Sequence, residues 1–342
     1  PGIVRTTNGT LLAYCEARKT ASGDWGQIDI MLRRSVDGGR IWQPRRKVVD
    51  PPRVPKNPVA VAQKLGKDGE VTVNNPVAIA DREPGRVHFL YCVEYARCYY
   101  MHSDDDGLSF SRPVDITPTF EQFREEYDWK VIATGPGHGI QLTSGRLLVP
   151  IWMSTGTGGH AHRPSAVSVI YSDDGGDTWK RGGIVAAHPT LINPSETVAV
   201  ELQDGSVMLN IRHEGKEARR AVSISKNGTT GWSAPRLDPQ LPEPVCMGSI
   251  HRISSQPSRI LFANPHNPDN RERKNLTIKL SRDEGKTWPV SRVLEPGISG
   301  YCDLAGAGDD LYCFFEDCSV DNTRYRTRAL TVARFNLAWL TG

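Results

Sequence analysis

The 342-residue chain contains no apolar run approaching the ~18 residues that a membrane-crossing helix needs, and its mean hydropathy is −0.43. A membrane-spanning helix is therefore not expected. It also lacks a dominant charge. Forty-two Lys and Arg against 39 Asp and Glu leave a net +3, with the two signs interleaved, so neither nucleic acid nor an anionic membrane is implied as a partner. The seven cysteines show no C-x-x-C spacing, which excludes the usual structural zinc motif. Their odd number leaves at least one unpaired within the chain, and free buried thiols packed as small hydrophobes are the expectation. Pro1 opens the sequence without Met or a signal segment, so the compartment is not legible from the N-terminus. Breakers, by contrast, are plentiful. The 32 Gly and 24 Pro are spread along the whole chain, a density that excludes a coiled coil, a helical bundle and a helical solenoid.

The sequence repeats itself. Ser35-Val36-Asp37-Gly38-Gly39-Arg40-Ile41-Trp42 reads S-x-D-x-G-x-x-W. The frame returns from Ser103 to Phe110, from Ser172 to Trp179 and from Ser281 to Trp288, with a degenerate copy from Ser225 to Trp232. In each, an Asp or Asn side chain can accept the amides of a tight turn, and Gly supplies the left-handed backbone angle. The terminal aromatic can fold back over the strand ends. Strand-like runs lead into the boxes at residues 28–32, 166–171 and 276–280. Copies about 50–70 residues apart are too far apart for one hairpin and suit a four-stranded unit. The expectation is an all-β, six-bladed β-propeller with four-stranded antiparallel blades, a single domain over residues 1–342. The one helix candidate is the stretch from Thr119 to Trp129, with Thr119 and Gln122 as a capping box.

The boxes resemble the Asp boxes of sialidases, and other segments extend that resemblance over nearly the whole chain. The run from Pro1 to Arg18 looks like the family stretch that begins R-I-P, whose Arg would stand two positions before Pro1. The resemblance implies Arg-Ile immediately upstream, with Glu316 as the carboxylate that holds this Arg. Asp24 falls where the family keeps its acid/base aspartate. Glu196 in Asn193-Pro194-Ser195-Glu196 matches the family glutamate, and Arg212 and Arg273 match two arginines that bind the substrate carboxylate. Tyr301 in Ser299-Gly300-Tyr301-Cys302-Asp303 matches the nucleophile, although Cys302 stands where a small hydroxyl residue is commoner. Arg18 is implied to contact the sugar near its 4-hydroxyl. The family also implies sialylated glycans as partners, no cofactor, and a secreted, periplasmic or lysosomal setting.

Hairpin geometry gives an independent expectation. A two-residue Asn8-Gly9 turn would place Arg18 opposite a position just before Pro1. A two-residue Asp204-Gly205 turn would place Glu196 opposite His213 and beside Arg212. A turn at Gly308 and Asp309 would place Tyr301 opposite Glu316. In all three, the candidates fall at the end of the hairpin away from the turn.

These residue types suit one chemistry. Sialic acid carries a carboxylate on its anomeric carbon, which planar guanidinium groups can bind through paired hydrogen bonds. That carboxylate would repel a carboxylate nucleophile but not a neutral phenol, and a tyrosine nucleophile is the arrangement that sets sialidases apart among glycosidases. The resemblance thus implies a retaining exo-α-sialidase. The rival readings are an enzyme for a related 2-keto sugar acid, an enzyme that transfers the sugar, and a sugar-binding propeller without catalysis. A pure binder would need the arginines but neither an acid nor a nucleophile. The histidines of Gly158-Gly159-His160-Ala161-His162 have no further ligands in view, so a rim loop is expected there and not a metal site. His138 has no assigned role and could line the site.

Overall fold

The computed structural model describes residues 1–19, 23–157, 159–318, 327 and 329–342. Among these the chain is almost entirely strand and turn, with three five-residue helices, Pro58–Ala62, Thr117–Glu121 and Leu337–Thr341. The strands form a propeller of successive, mainly antiparallel sheets, with one parallel pair between Gly137–His138 and Val73–Ala80. There are five hydrogen-bonded sheets, of four, five, six, four and six strands, and not the six four-stranded blades expected. The reason lies in Val290–Ala307, an unbroken strand of 18 residues. Its first part pairs with Lys274–Ser281 and its second with Asp310–Asp317. The chain therefore passes from one group of strands to the next without a gap in the ladder.

The stacking of sheets follows from the two-residue period of a strand. In Leu147–Ser154 all eight residues are buried, as expected of a strand covered on both faces. Leu147, Val149, Ile151 and Met153 pack with Val77, Ile79 and Leu90 of the preceding sheet. Leu148 and Trp152, on the other face, pack with Ala199, Leu209 and Ile211 of the following one. Each internal sheet is thus glued on both sides, so apolar residues of both parities are required.

The boxes sit where the third strand of a sheet ends, beside the hairpin turn. Ser35 lies opposite Leu11, Ser172 opposite Leu147 and Ser225 opposite Val207. In the third box Ser172 Oγ donates to Asp174 Oδ1 (2.7 Å), which also accepts Thr178 N–H (2.9 Å), while Ser172 Oγ accepts Gly176 N–H (2.8 Å). The same triangle closes around Asp37, Asp105 and Asp283. Gly176 has φ +98°, and a Cβ there would collide with the Tyr100 hydroxyl of the neighbouring sheet. Trp179 packs on the same tyrosine at 5.5 Å between ring centroids.

Two of the expected registers are off by one. The first hairpin pairs Ile3 with Ala13, and the fourth sheet pairs Thr197 with Ile211. Both turns have three loop residues, not two. Gly9 N–H bonds Thr6 O and Thr6 N–H bonds Thr10 O, and Leu202, Gly205 and Ser206 repeat the pattern. In each the glycine takes a positive φ, +86° and +81°, as a type I turn followed by a left-handed residue requires. The shift places Glu196 opposite Arg212 itself, with Arg212 N–H donating to Glu196 O (3.1 Å). The third hairpin keeps the expected register from Ala307 back to Cys302, and then bulges at Gly300 and Tyr301.

The expected helix from Thr119 is also displaced. The helix is Thr117–Glu121 and has no side-chain cap. Pro118 fits its first turn, and Thr119 donates its hydroxyl to Trp179 O (3.1 Å) and does not cap. At the propeller axis the fully buried Asp303 accepts Ile3 N–H (2.9 Å), Ser249 Oγ–H (2.7 Å) and His138 Nδ1 (2.8 Å). One carboxylate thereby ties the first strand of the chain to two other sheets. The seven cysteines are free thiols.

Candidate active site

The strand ends away from the boxes surround a cavity of about 950 Å³. Arg18, Asp24, Glu196, Arg212, Arg273, Tyr301 and Glu316 all line it. These seven sequence-predicted residues are brought together here. Arg18 closes its strand, Leu11–Arg18; Glu196 and Arg212 flank the hairpin of Thr197–Glu201 and Val207–Ile211. Tyr301 sits at the bulge, where the broken ladder releases its N–H to Glu316 Oε2 (2.9 Å). Glu316 thus has a partner of its own within the described chain.

The centre of the site is the Tyr301 hydroxyl. It donates to Glu196 Oε1 in a short hydrogen bond and accepts Arg212 Nη1–H at 2.8 Å. Arg212 Nη1 is also paired with Glu196 Oε2. The guanidinium of Arg273 lies 5.4 Å from the centroid of the Tyr301 ring and that of Arg212 6.0 Å, so two cations flank the phenol. Burial pushes the Tyr301 hydroxyl well above its ordinary pKa; Arg212 opposes this and Glu196 adds to it. The group is a neutral phenol with a carboxylate at its proton.

A second cluster lines the same cavity. Arg18 Nη1 pairs with Asp24 Oδ1 (3.1 Å) and donates to Gly23 O (3.1 Å), while Arg18 Nη2 holds Glu16 Oε2 (3.0 Å). Glu16 in turn accepts Asn75 N–H (2.8 Å). The Asp24 side chain is half exposed and open to a ligand. Burial acts to raise its pKa, but the charges of His162, Arg18 and Arg212 outweigh this and lower it. His162 Nδ1 stands 3.7 Å from Asp24 Oδ2, and its ring packs against Trp25, Tyr95 and Trp152 at 5.0–6.0 Å. Burial brings its pKa down to about 4.

Several of these residues were invisible to sequence reasoning. Glu16 and Tyr95 belong to no box, and only the two-residue step from Glu16 to Arg18 along one strand face could have linked that pair. His160 and His162 line the cavity. Among the described residues no cluster of three His, Cys, Asp or Glu could hold a metal ion, and no helix is long and apolar enough to cross a membrane. His138 does not line this cavity. It lies on the axis and faces a second one of about 420 Å³, beside Arg5, Arg82 and His251. Gly158 of the Gly158-Gly159-His160-Ala161-His162 segment lies outside the described residues.

Propeller, boxes and cavity together define a class: the BNR repeat-like domain matches residues 9–313, and the chain belongs to that family. The relatives are specific. The chain is 30% identical to a sialidase of Micromonospora viridifaciens, across 100% of this chain and 52% of that protein. It is 29% identical to a sialidase of Bacteroides fragilis (strain YCH46), across 86% of this chain and 54% of that one. Among solved structures, the Hadza microbial sialidase Hz136 superposes with a TM-score of 0.79 at 25% identity, covering 99% of this chain and 66% of the other. The chain spans about half the length of these two curated relatives.

Proposed function

We propose that this propeller, as a single catalytic domain, is a retaining exo-α-sialidase that releases terminal α-linked sialic acid from glycoconjugates. The observation that carries the reading is the Tyr301 hydroxyl, which donates to Glu196 and accepts from Arg212 in a cavity that also holds Arg273 and Asp24. Arg212 and Arg273 bind the substrate carboxylate and set the anomeric carbon over Tyr301. Tyr301 Oη attacks that carbon while Glu196 takes the phenol proton, and Asp24 delivers a proton to the departing glycosidic oxygen. In the second half, Asp24 takes a proton from water, the water attacks the anomeric carbon, and the carbon–tyrosine bond breaks as Glu196 returns the proton to the phenolate. Arg18 contacts the sugar while holding the Asp24 loop. Glu316 supports the bulge that presents Tyr301.

A fluorogenic aryl sialoside tests this directly. The parent protein should release the aryl group, and Tyr301→Phe should lose roughly a hundredfold or more of kcat while still binding substrate, because the arginines remain. An inactive parent that binds sialic acid would favour a binding propeller. A fully active Tyr301→Phe variant would remove the nucleophile.

A further inference from the structure

Behind the site, outside the residues that line the cavity, lies a buried ion pair that the reaction does not use. Arg220 and Glu243 are 0% and 1% exposed and pair at 2.9 Å (Arg220 Nη1 to Glu243 Oε2). Every nitrogen of Arg220 is committed: Nε to Asn210 Oδ1 (2.6 Å), Nη2 to Asn210 O (3.0 Å), and Nη1 also to Cys246 O (3.0 Å). Glu243 closes the loop from its other oxygen, Oε1 accepting Cys246 N–H (3.0 Å), and its own N–H is fixed to Ala218 O (2.9 Å). The four-residue loop 243–246 is therefore clamped at both ends. Between the clamps sits Val245 at φ +59°, a left-handed angle that a β-branched residue adopts only under constraint. The carbonyl of this strained residue accepts Arg273 Nη2–H at 2.8 Å.

We infer that the Arg220–Glu243 clamp holds Val245 in its strained conformation so that its carbonyl aims the Arg273 guanidinium at the substrate carboxylate. Val245, Arg220 and Glu243 are positioning residues that act through Arg273. The inference rests on the sialidase reading for the ligand, but not for the placement of the arginine. Strain at a site persists only where its surroundings over-determine it, and a fully satisfied buried ion pair does that. A glycine at 245 adopts the same angle without strain and can also leave it, so it removes the aim while keeping the carbonyl.

Val245→Gly is the informative variant, because Glu243→Gln would leave Arg220 an unpaired buried cation and endanger the fold. With an aryl sialoside, Val245→Gly should raise KM about tenfold with kcat held, and the same change in an Arg273→Ala background should add nothing, since the effect passes through Arg273. Its melting temperature should be no lower than the parent's. The Arg273 Nε–H signal in NMR, sharp in the parent, should broaden in the variant, a readout that needs no turnover. An inactive parent would defeat the sialidase reading and leave the NMR comparison to judge the clamp. An unchanged KM in an active enzyme, a loss that persists without Arg273, a lower melting temperature or an unbroadened Arg273 signal would each overturn the inference.

Discussion

Burial acts in the same direction on Tyr301 and Asp24, raising both, yet the two end on opposite sides of their ordinary values. For Tyr301 the nearby Glu196 reinforces burial. For Asp24 the charges of His162, Arg18 and Arg212 overcome it, and in the ligand-free site Asp24 is an anion at neutral pH. As the proton donor it must first be protonated, so its acid form becomes scarcer as pH rises above its lowered pKa. We expect kcat/KM for an alkyl-linked sialoside to fall about tenfold per unit between pH 5 and 7. An aryl sialoside, whose leaving group needs little protonation, should give a flatter profile, and Asp24→Ala should damage the alkyl substrate far more. Parallel profiles for the two substrates would assign the acid elsewhere. Asp24 was proposed from the family resemblance, and the structure places it beside Arg18. His162 was not legible, because its approach to Asp24 joins loops far apart in the chain, and an alternating pair of histidines carries no signal of what will face it.

Within an element, the sequence was most informative where chemistry is local. The boxes announce their own hydrogen bonds, since Ser, Asp and Gly of one octapeptide close the turn. The registers were harder, because Asn8-Gly9 and Asp204-Gly205 read equally as two-residue or three-residue loops, and the one-residue slip decides whether Glu196 faces His213 or Arg212. The long strand Val290–Ala307 was illegible for a different reason: Pro296 and Gly297 look like a break, but the ladder on Lys274–Ser281 runs past them with only bulges. The boxes also supply a prediction at this scale. Asp174 lies at the end of its sheet away from the site, so Asp174→Ala should lower stability by about 1 kcal/mol, solvent screening being considerable there, and leave turnover per folded molecule unchanged. Hydrogen bonds from Thr178 and Ser172 bring the Asp174 carboxyl down to about 2. A depressed carboxylate pKa contributes stability above the ordinary value near 3.9 and loses it as pH falls through about 2. Urea titrations at pH 7 and pH 2.5 should therefore show a smaller parent–variant difference at the lower pH; an Asp174→Ala variant that is folded but inactive would contradict the separation of boxes from site.

At the scale of the molecule, propeller closure is what assembles the site. Arg18 comes from the first sheet, Glu196 and Arg212 from the fourth, and Arg273 and Tyr301 from the last, while Asp303 pins the first strand to the last sheet at the axis. Residues nearly three hundred positions apart are thus delivered to one cavity, Arg18, Glu196, Arg212 and Arg273 from strand ends and Tyr301 from the bulge within the long strand. A repeat of boxes is enough to foresee a propeller, but not the axial carboxylate with its histidine, because neither belongs to a repeat. The central claim is that Tyr301 forms a bond to the anomeric carbon, and its direct test is stereochemical. Two inversions at one carbon restore the starting configuration, so proton NMR in the first minutes of hydrolysis, before mutarotation mixes the anomers, should show the α anomer of sialic acid first. Release of the β anomer first would mean a single inversion, and Tyr301 would then not be a covalent nucleophile.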